Sequence, residues 1–342
     1  LTGLVVTVEY NSSGVPISEL NLIAKAKYLD EKGRPLRDWF LTHSYLFSGI
    51  ASFFSAITNL LLKNRAIKWI ADAFLSIDRR RELPAYQSTT FRQWFRKHQP
   101  VIGERKIAYF YGCYINTNEV DIGKATVQVL ETNGFEVILP PQRCCGIPML
   151  GNGDFNGARK MGLWNVPSLL STVRSGSDIV FTSTSCGHMI KHEYSRLLAI
   201  PGAEEVAHHL FDLFEFLRNL REQGNFNTHF KELPLKVAYF APCHLRSLGI
   251  GLPALDILRL IPGLQIENIE ANCCGLGGTF GFKKEKYEIS QEIGKDLKET
   301  IDRLKPEIVL TDCEGCRMQI RHLTGLKVLH PVQILRDALR PS

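Results

Sequence analysis

An α/β fold, with two pseudo-repeated parallel-sheet units behind a helical N-terminal segment, is what this sequence predicts. Three observations carry the expectation. All nine cysteines fall into two copies of one pattern: Cys113, adjacent Cys144–Cys145 and Cys186, then Cys243, adjacent Cys273–Cys274, and Cys313 with Cys316. The surrounding sequence repeats too, since Lys106-Ile-Ala-Tyr-Phe-Tyr-Gly-Cys113 parallels Lys236-Val-Ala-Tyr-Phe-Ala-Pro-Cys243 at an offset of 130 residues. Short apolar, β-prone runs precede the cysteines and helical stretches lie between them, the alternation that builds parallel sheets.

The 342 residues, 44% of them hydrophobic, suffice for two cores of ordinary domain size. A net charge of +6 is too weak and too dispersed to indicate a nucleic-acid partner. No basic stretch leads into a short apolar run and a small-residue cleavage site, so the thiols are expected in a reducing compartment, as thiols or metal ligands. Residue 1 is Leu, which reads as a fragment or a processed start.

Residues 1–100 form the expected helical segment. Within it, Ser44 to Leu62 is 19 residues without a charge, about 28 Å as a helix. Ser44, Ser48, Ser52, Ser55 and Asn59 fall on one face, and Phe47, Ile50, Phe54, Ile57 and Leu61 on the other. Lys63, Arg65, Lys68 and Trp69 follow, and Arg79–Arg81 come later. That pattern fits a helix lying in a membrane interface. It fits equally a helix packed on the core through its small residues, and fits a simple span least.

Residues 101–203 make the first unit, with strands at 106–110 and 178–182 and a helix over Val120–Asn133. Residues 204–235 read as a connecting amphipathic helix, Glu204–Gln223, and a linker from Gly224 to His229. Residues 236–342 make the second unit, with strands at 236–240 and 307–311 and a helix over Lys286–Leu304.

Each cysteine loop follows a strand, and in open α/β sheets binding loops converge beyond the strands' carboxyl ends. Gly146, Gly151 and Gly153 crowd behind one adjacent pair; Gly275, Gly277, Gly278 and Gly281 crowd behind the other. Glycines there permit positive φ and let backbone N–H groups reach sulfur. Three chemistries compete. Zinc favours four ligands from short CxxC pairs, and only Cys313-Glu-Gly-Cys316 has that spacing. Iron–sulfur clusters take thiolates from scattered loops. A redox disulfide at each adjacent pair is the third.

The copies are unequal. Aligning Asp178–Thr182 with Glu307–Thr311 sets Thr184 opposite Cys313 and leaves Cys186 one position short of Cys316. Lys283, Lys284 and Lys286 read as a solvated helix start or as positive charge tuning the thiolates. His244 reads as a hydrogen-bond donor beside Cys243.

Leu41-Thr-His-Ser44, Ile77-Asp-Arg-Arg80, Cys144-Cys-Gly-Ile-Pro148, Ala241-Pro-Cys-His244, Cys273-Cys-Gly-Leu-Gly-Gly-Thr-Phe-Gly-Phe-Lys-Lys-Glu-Lys-Tyr287 and Thr311-Asp-Cys-Glu-Gly-Cys316 carry a resemblance. From about residue 15 onward the chain resembles the tandem cysteine-rich CCG family. That family includes the B subunits of heterodisulfide reductases and the iron–sulfur subunits of glycolate and lactate oxidases. The closer resemblance is to the C subunits of anaerobic glycerol-3-phosphate dehydrogenases. The resemblance implies an iron–sulfur electron-transfer subunit of an oxidoreductase, with catalysis on a flavoprotein partner. Electrons would pass to membrane quinone from the cytoplasmic side of the inner membrane, where the chain sits peripherally. It implies 4Fe–4S clusters, with Cys243, Cys273, Cys274, Cys313 and Cys316 holding a noncubane form and Cys113, Cys144, Cys145 and Cys186 holding the other. A thiol–disulfide reductase role is the alternative. One departure stands out. Ser13-Gly-Val-Pro-Ile-Ser-Glu-Leu20 resembles the residues after the last Cys-Pro of a ferredoxin-like module, but Asn11-Ser12 stand where that Cys-Pro would be.

Overall fold

The computed structural model describes residues 17–103 and 105–340; Asn11-Ser12 and the first half of the ferredoxin-like remnant lie outside them. Two four-stranded sheets have the orders β2-β1-β3-β4 and β6-β5-β7-β8, all pairs parallel. The first comprises β1 (Arg105–Phe110), β2 (Phe135–Ile138), β3 (Ile179–Phe181) and β4 (Leu210–Asp212). The second comprises β5 (Leu235–Phe240), β6 (Leu264–Ile269), β7 (Ile308–Leu310) and β8 (Val328–Leu329). The central strands are continuous apolar runs because helices cover both of their faces. Ile107 to Phe110 and Val237 to Phe240 are all buried.

The predicted strands before the cysteines are present, shifted at their ends by a residue. Two predicted helices are divided. Glu204–Gln223 is a short helix (Ala203–His208), then β4, then a second helix (Leu213–Glu222). Leu210–Asp212 pairs with Ile179–Phe181, and Asp212 then caps the following helix in a capping box with Glu215. Likewise Lys286–Leu304 is two helices, Tyr287–Ile293 and Lys295–Leu304, parted at Gly294.

The two units share a core. Tyr109, Val127, Leu213 and Phe214 of the first pack in one cluster with Tyr239, Leu310, Val332 and Leu335 of the second. A buried ion pair reinforces the seam: Arg317 of the second unit donates through Nε to Glu119 of the first at 2.8 Å.

The N-terminal helices strap both units. Lys25 Nζ reaches the Gly151 carbonyl at 2.7 Å. Arg81 is buried and donates through Nε to the Gly281 carbonyl at 2.6 Å and through Nη2 to Ser290 Oγ at 2.7 Å. The Ser44–Leu62 segment is two helices, Ser44–Phe53 and Ser55–Lys63, bent by 115° at Phe54. Its small-residue stripe faces inward: Ser52 and Ser55 are buried, and Asn59 brackets the backbone of Tyr86 with two 2.8 Å hydrogen bonds. Its apolar stripe faces out, with Ile50 66% and Ile57 60% exposed. Among the described residues no single helix is long and apolar enough to cross a membrane.

Candidate metal–sulfur sites

Every cysteine lies just past the carboxyl end of a strand. Cys113 sits in the helix Gly112–Thr117 after β1, Cys144–Cys145 in the loop after β2, and Cys186 in the helix Thr184–His188 after β3. In the second unit, Cys243 opens the helix Cys243–Ser247 after β5, Cys273–Cys274 follow β6, and Cys313 and Cys316 flank the start of Glu314–Thr324 after β7. None is in a disulfide.

The structure gathers the first four thiols. Cys113 Sγ stands 3.7 Å from Cys144 Sγ, and Cys145 bonds to both Cys144 and Cys186. The second five are gathered as well. Cys316 Sγ stands 3.2 Å from Cys274 Sγ and also bonds Cys313, while Cys273 bonds Cys274. Cys243 feels the charge of Cys313 and Cys274. Hydrogen bonds from neighbouring thiols hold Cys144, Cys274 and Cys313 well below the ordinary thiol range. Their donors, Cys113, Cys145, Cys273 and Cys316, are pushed up in exchange. Burial first, then Cys313 and Cys274, push Cys243 up to about 12.

Among the described residues no three His, Cys, Asp or Glu side chains are arranged to hold one metal ion. What each set offers instead is sulfur donors alone, brought in from three separate loops. Four or more such thiolates suit an iron–sulfur cluster. On donor chemistry the residues present fit that group.

Glycine is required at two matched points. Gly146 (φ +88) and Gly275 (φ +89) both turn the chain behind the adjacent pair. Their N–H groups point at Cys144 Sγ (3.5 Å) and Cys273 Sγ (3.3 Å), which stabilises a thiolate there. A Cβ at Gly275 would lie 2.2 Å from the Ser290 carbonyl oxygen, so no side chain fits.

One expectation is corrected. The sheets pair Ala108 with Ile179 and Ala238 with Val309, so the two units superpose at an offset of 130 and not 129 beyond β3. Cys186 therefore lies opposite Cys316, and Ser183, not Thr184, lies opposite Cys313. The sequence match of Thr182 with Thr311 misplaced the register by one because both strands are short and alike. Lys283 is not solvated either. It is buried under the N-terminal helices, 2.8 Å from Asp38 and 3.0 Å from Asn152 Oδ1.

His244 and three residues that spacing did not single out join the two sites. Ser185 Oγ lies 3.8 Å from Cys313 Sγ and 3.1 Å from His244 Nδ1. His244 also stacks on His188 at 5.1 Å. Ser183 Oγ donates to the Glu314 carboxylate at 3.0 Å. Burial, then Cys313, push Glu314 up to about 7. His244 was legible from its place after Cys243; for the others, the serines one and three places ahead of Cys186 were the sequence signal.

The family described as a cysteine-rich domain, CCG, matches residues 107–191 and 237–321. The C subunit of anaerobic glycerol-3-phosphate dehydrogenase from Escherichia coli K12 is 36% identical over 331 residues, covering 96% of this chain and 83% of that protein. The B subunit of fumarate reductase (CoM/CoB) from Methanothermobacter marburgensis is 32% identical over 241 residues, covering 67% of this chain and 46% of that one. Lactate utilization protein A of Bacillus subtilis is 29% identical over 247 residues, 68% of this chain and 99% of that one.

Proposed function

Since this chain belongs to the family of the anaerobic glycerol-3-phosphate dehydrogenase C subunit, with its tandem cysteine-rich domains, we propose that it is an iron–sulfur electron-transfer subunit. Its donor is a flavoprotein dehydrogenase that oxidises glycerol 3-phosphate, and its acceptor is membrane quinone. The observation that carries this is the gathering of all nine thiols into two groups at the ends of two sheets. Cys113, Cys144, Cys145 and Cys186 would hold one 4Fe–4S cluster, and Cys243, Cys273, Cys274, Cys313 and Cys316 the other. A bound cluster supplies one-electron chemistry; the chain supplies the rest. Strand ends fix the sulfur positions, the Gly146 and Gly275 N–H groups steady the thiolates, and burial keeps water out.

The same reading explains the outward-facing apolar stripe of the bent helix pair. Phe53 (77% exposed), Leu60 (70%) and Phe74 (79%) turn outward beside exposed Lys63, Arg65 and Trp69. Apolar, aromatic and cationic groups on one surface suit an anionic bilayer face. Docked there, the chain would lie peripherally on the cytoplasmic side of the inner membrane, within reach of quinone. The test uses the chain with its dehydrogenase partner and vesicles containing quinone and phosphatidylserine. Glycerol 3-phosphate should bleach the chain's visible absorption and reduce the quinone. Reversing the charge of Lys63, Arg65 and Lys68 together should weaken vesicle binding about a hundredfold or more, at about 1 kcal/mol per cationic group. Unchanged binding would remove the membrane from the account. Rapid reduction of a disulfide by the chain alone would favour a thiol–disulfide role.

A further inference from the structure

We propose that Ser183 sets the two metal–sulfur sites apart: its hydroxyl stands where the second unit places the Cys313 thiol, so the first site accepts a four-thiolate cluster and the second a cluster with a fifth thiolate. This rests on the electron-transfer role proposed for the chain.

The equivalence of the two positions rests on separate geometric features. The sheet register relates the units by 130 residues, and 183 plus 130 is 313. Both residues cap a helix with nearly the same backbone, Ser183 at φ −101°, ψ 105° and Cys313 at φ −97°, ψ 128°. They differ in what the heteroatom does: Ser183 Oγ accepts the Cys186 N–H at 3.4 Å, whereas the Cys313 side chain makes no cap hydrogen bond. The residue before the cap repeats as well. Tyr109 bonds Thr182 through its hydroxyl at 2.6 Å, and Tyr239 bonds Asp312 at 2.6 Å. Ser183-Thr-Ser-Cys186 is thus the counterpart of Cys313-Glu-Gly-Cys316.

Sulfur and oxygen differ here in kind. A thiol near pKa 8.5 deprotonates readily and is a soft ligand for iron. A serine hydroxyl keeps its proton, and in this structure that proton is committed to Glu314 across the seam, 3.0 Å away. With one lone pair taken by the Cys186 N–H, Ser183 is held as a hydrogen-bonding cap. Cys313 is placed differently; its sulfur lies 3.8 Å from Ser185 Oγ, with no carboxylate among the described residues taking up its proton. The first unit therefore presents four thiols and the second five.

The experiment compares the anaerobically purified full chain with Ser183→Cys and Cys313→Ser, reading iron and sulfide content, electron paramagnetic resonance and Mössbauer spectra. The wild-type protein should show two distinct cluster species in equal amounts. Ser183→Cys should convert the first into the second, leaving one species at twice its wild-type intensity. Cys313→Ser should do the reverse, which keeps the inference testable if either variant folds poorly. Iron-loaded Ser183→Cys with both wild-type spectra intact would overturn the inference while leaving the electron-transfer role standing. A wild-type chain without iron would overturn both.

Discussion

Cys274→Ser is expected to remove about half of the bound iron, one of two clusters, and to halt electron delivery to quinone. Cys274 is buried, receives hydrogen bonds from Cys273 and Cys316, and is held well below the ordinary thiol range by them. It is the sulfur on which the second set converges, with Cys316 only 3.2 Å away. An oxygen there is shorter, harder and protonated, and iron would lose a thiolate it cannot replace from a neighbour. The check is iron content and quinone reduction in the reconstituted complex. Full turnover by the variant would contradict the relay.

Arg317→Ala is expected to cost about 3–5 kcal/mol of stability, the usual result of stripping one partner from a buried pair. The Arg317 side chain is 2% exposed and crosses from the second unit to Glu119, while its Nη1 holds the Thr311 carbonyl at 2.9 Å. Burial works to raise Glu119, and Arg317 with Arg321 outweighs it and keeps the carboxylate ionised. Without Arg317, that charge is left in the seam with Arg321 alone, which is partly solvated. Denaturant titration of the variant checks this, and a loss under about 1 kcal/mol would mean the pair is only lightly coupled to folding. Replacing both partners, Arg317→Met with Glu119→Leu, should recover most of the loss.

The repeat and its strands were legible because the physics is local. Ile107–Phe110 and Val237–Phe240 are apolar runs buried on both faces, each leading into a cysteine turn. The gathering of the nine thiols followed from where parallel sheets place their loops. What escaped depends on partners distant in sequence. Leu210–Asp212 is a strand only because β3 lies beside it; its flanks carry the period of one long helix. Edge strand β6, Leu264–Ile269, has half its residues in solvent and no apolar run to announce it. The bend at Phe54 has neither proline nor glycine to announce it; beyond it, Asn59 ties the second helix to the backbone of Tyr86, a partner distant in sequence. The opposition of Ser183 and Cys313 needed the sheet register, since a strand match one residue off fits the sequence equally well.

The most direct test is chemical analysis of the chain purified without oxygen. Two occupied sites call for about eight iron and eight sulfide per chain, with a broad visible absorption that fades on reduction. A colourless protein with less than about one iron, or with zinc in its place, would contradict the account.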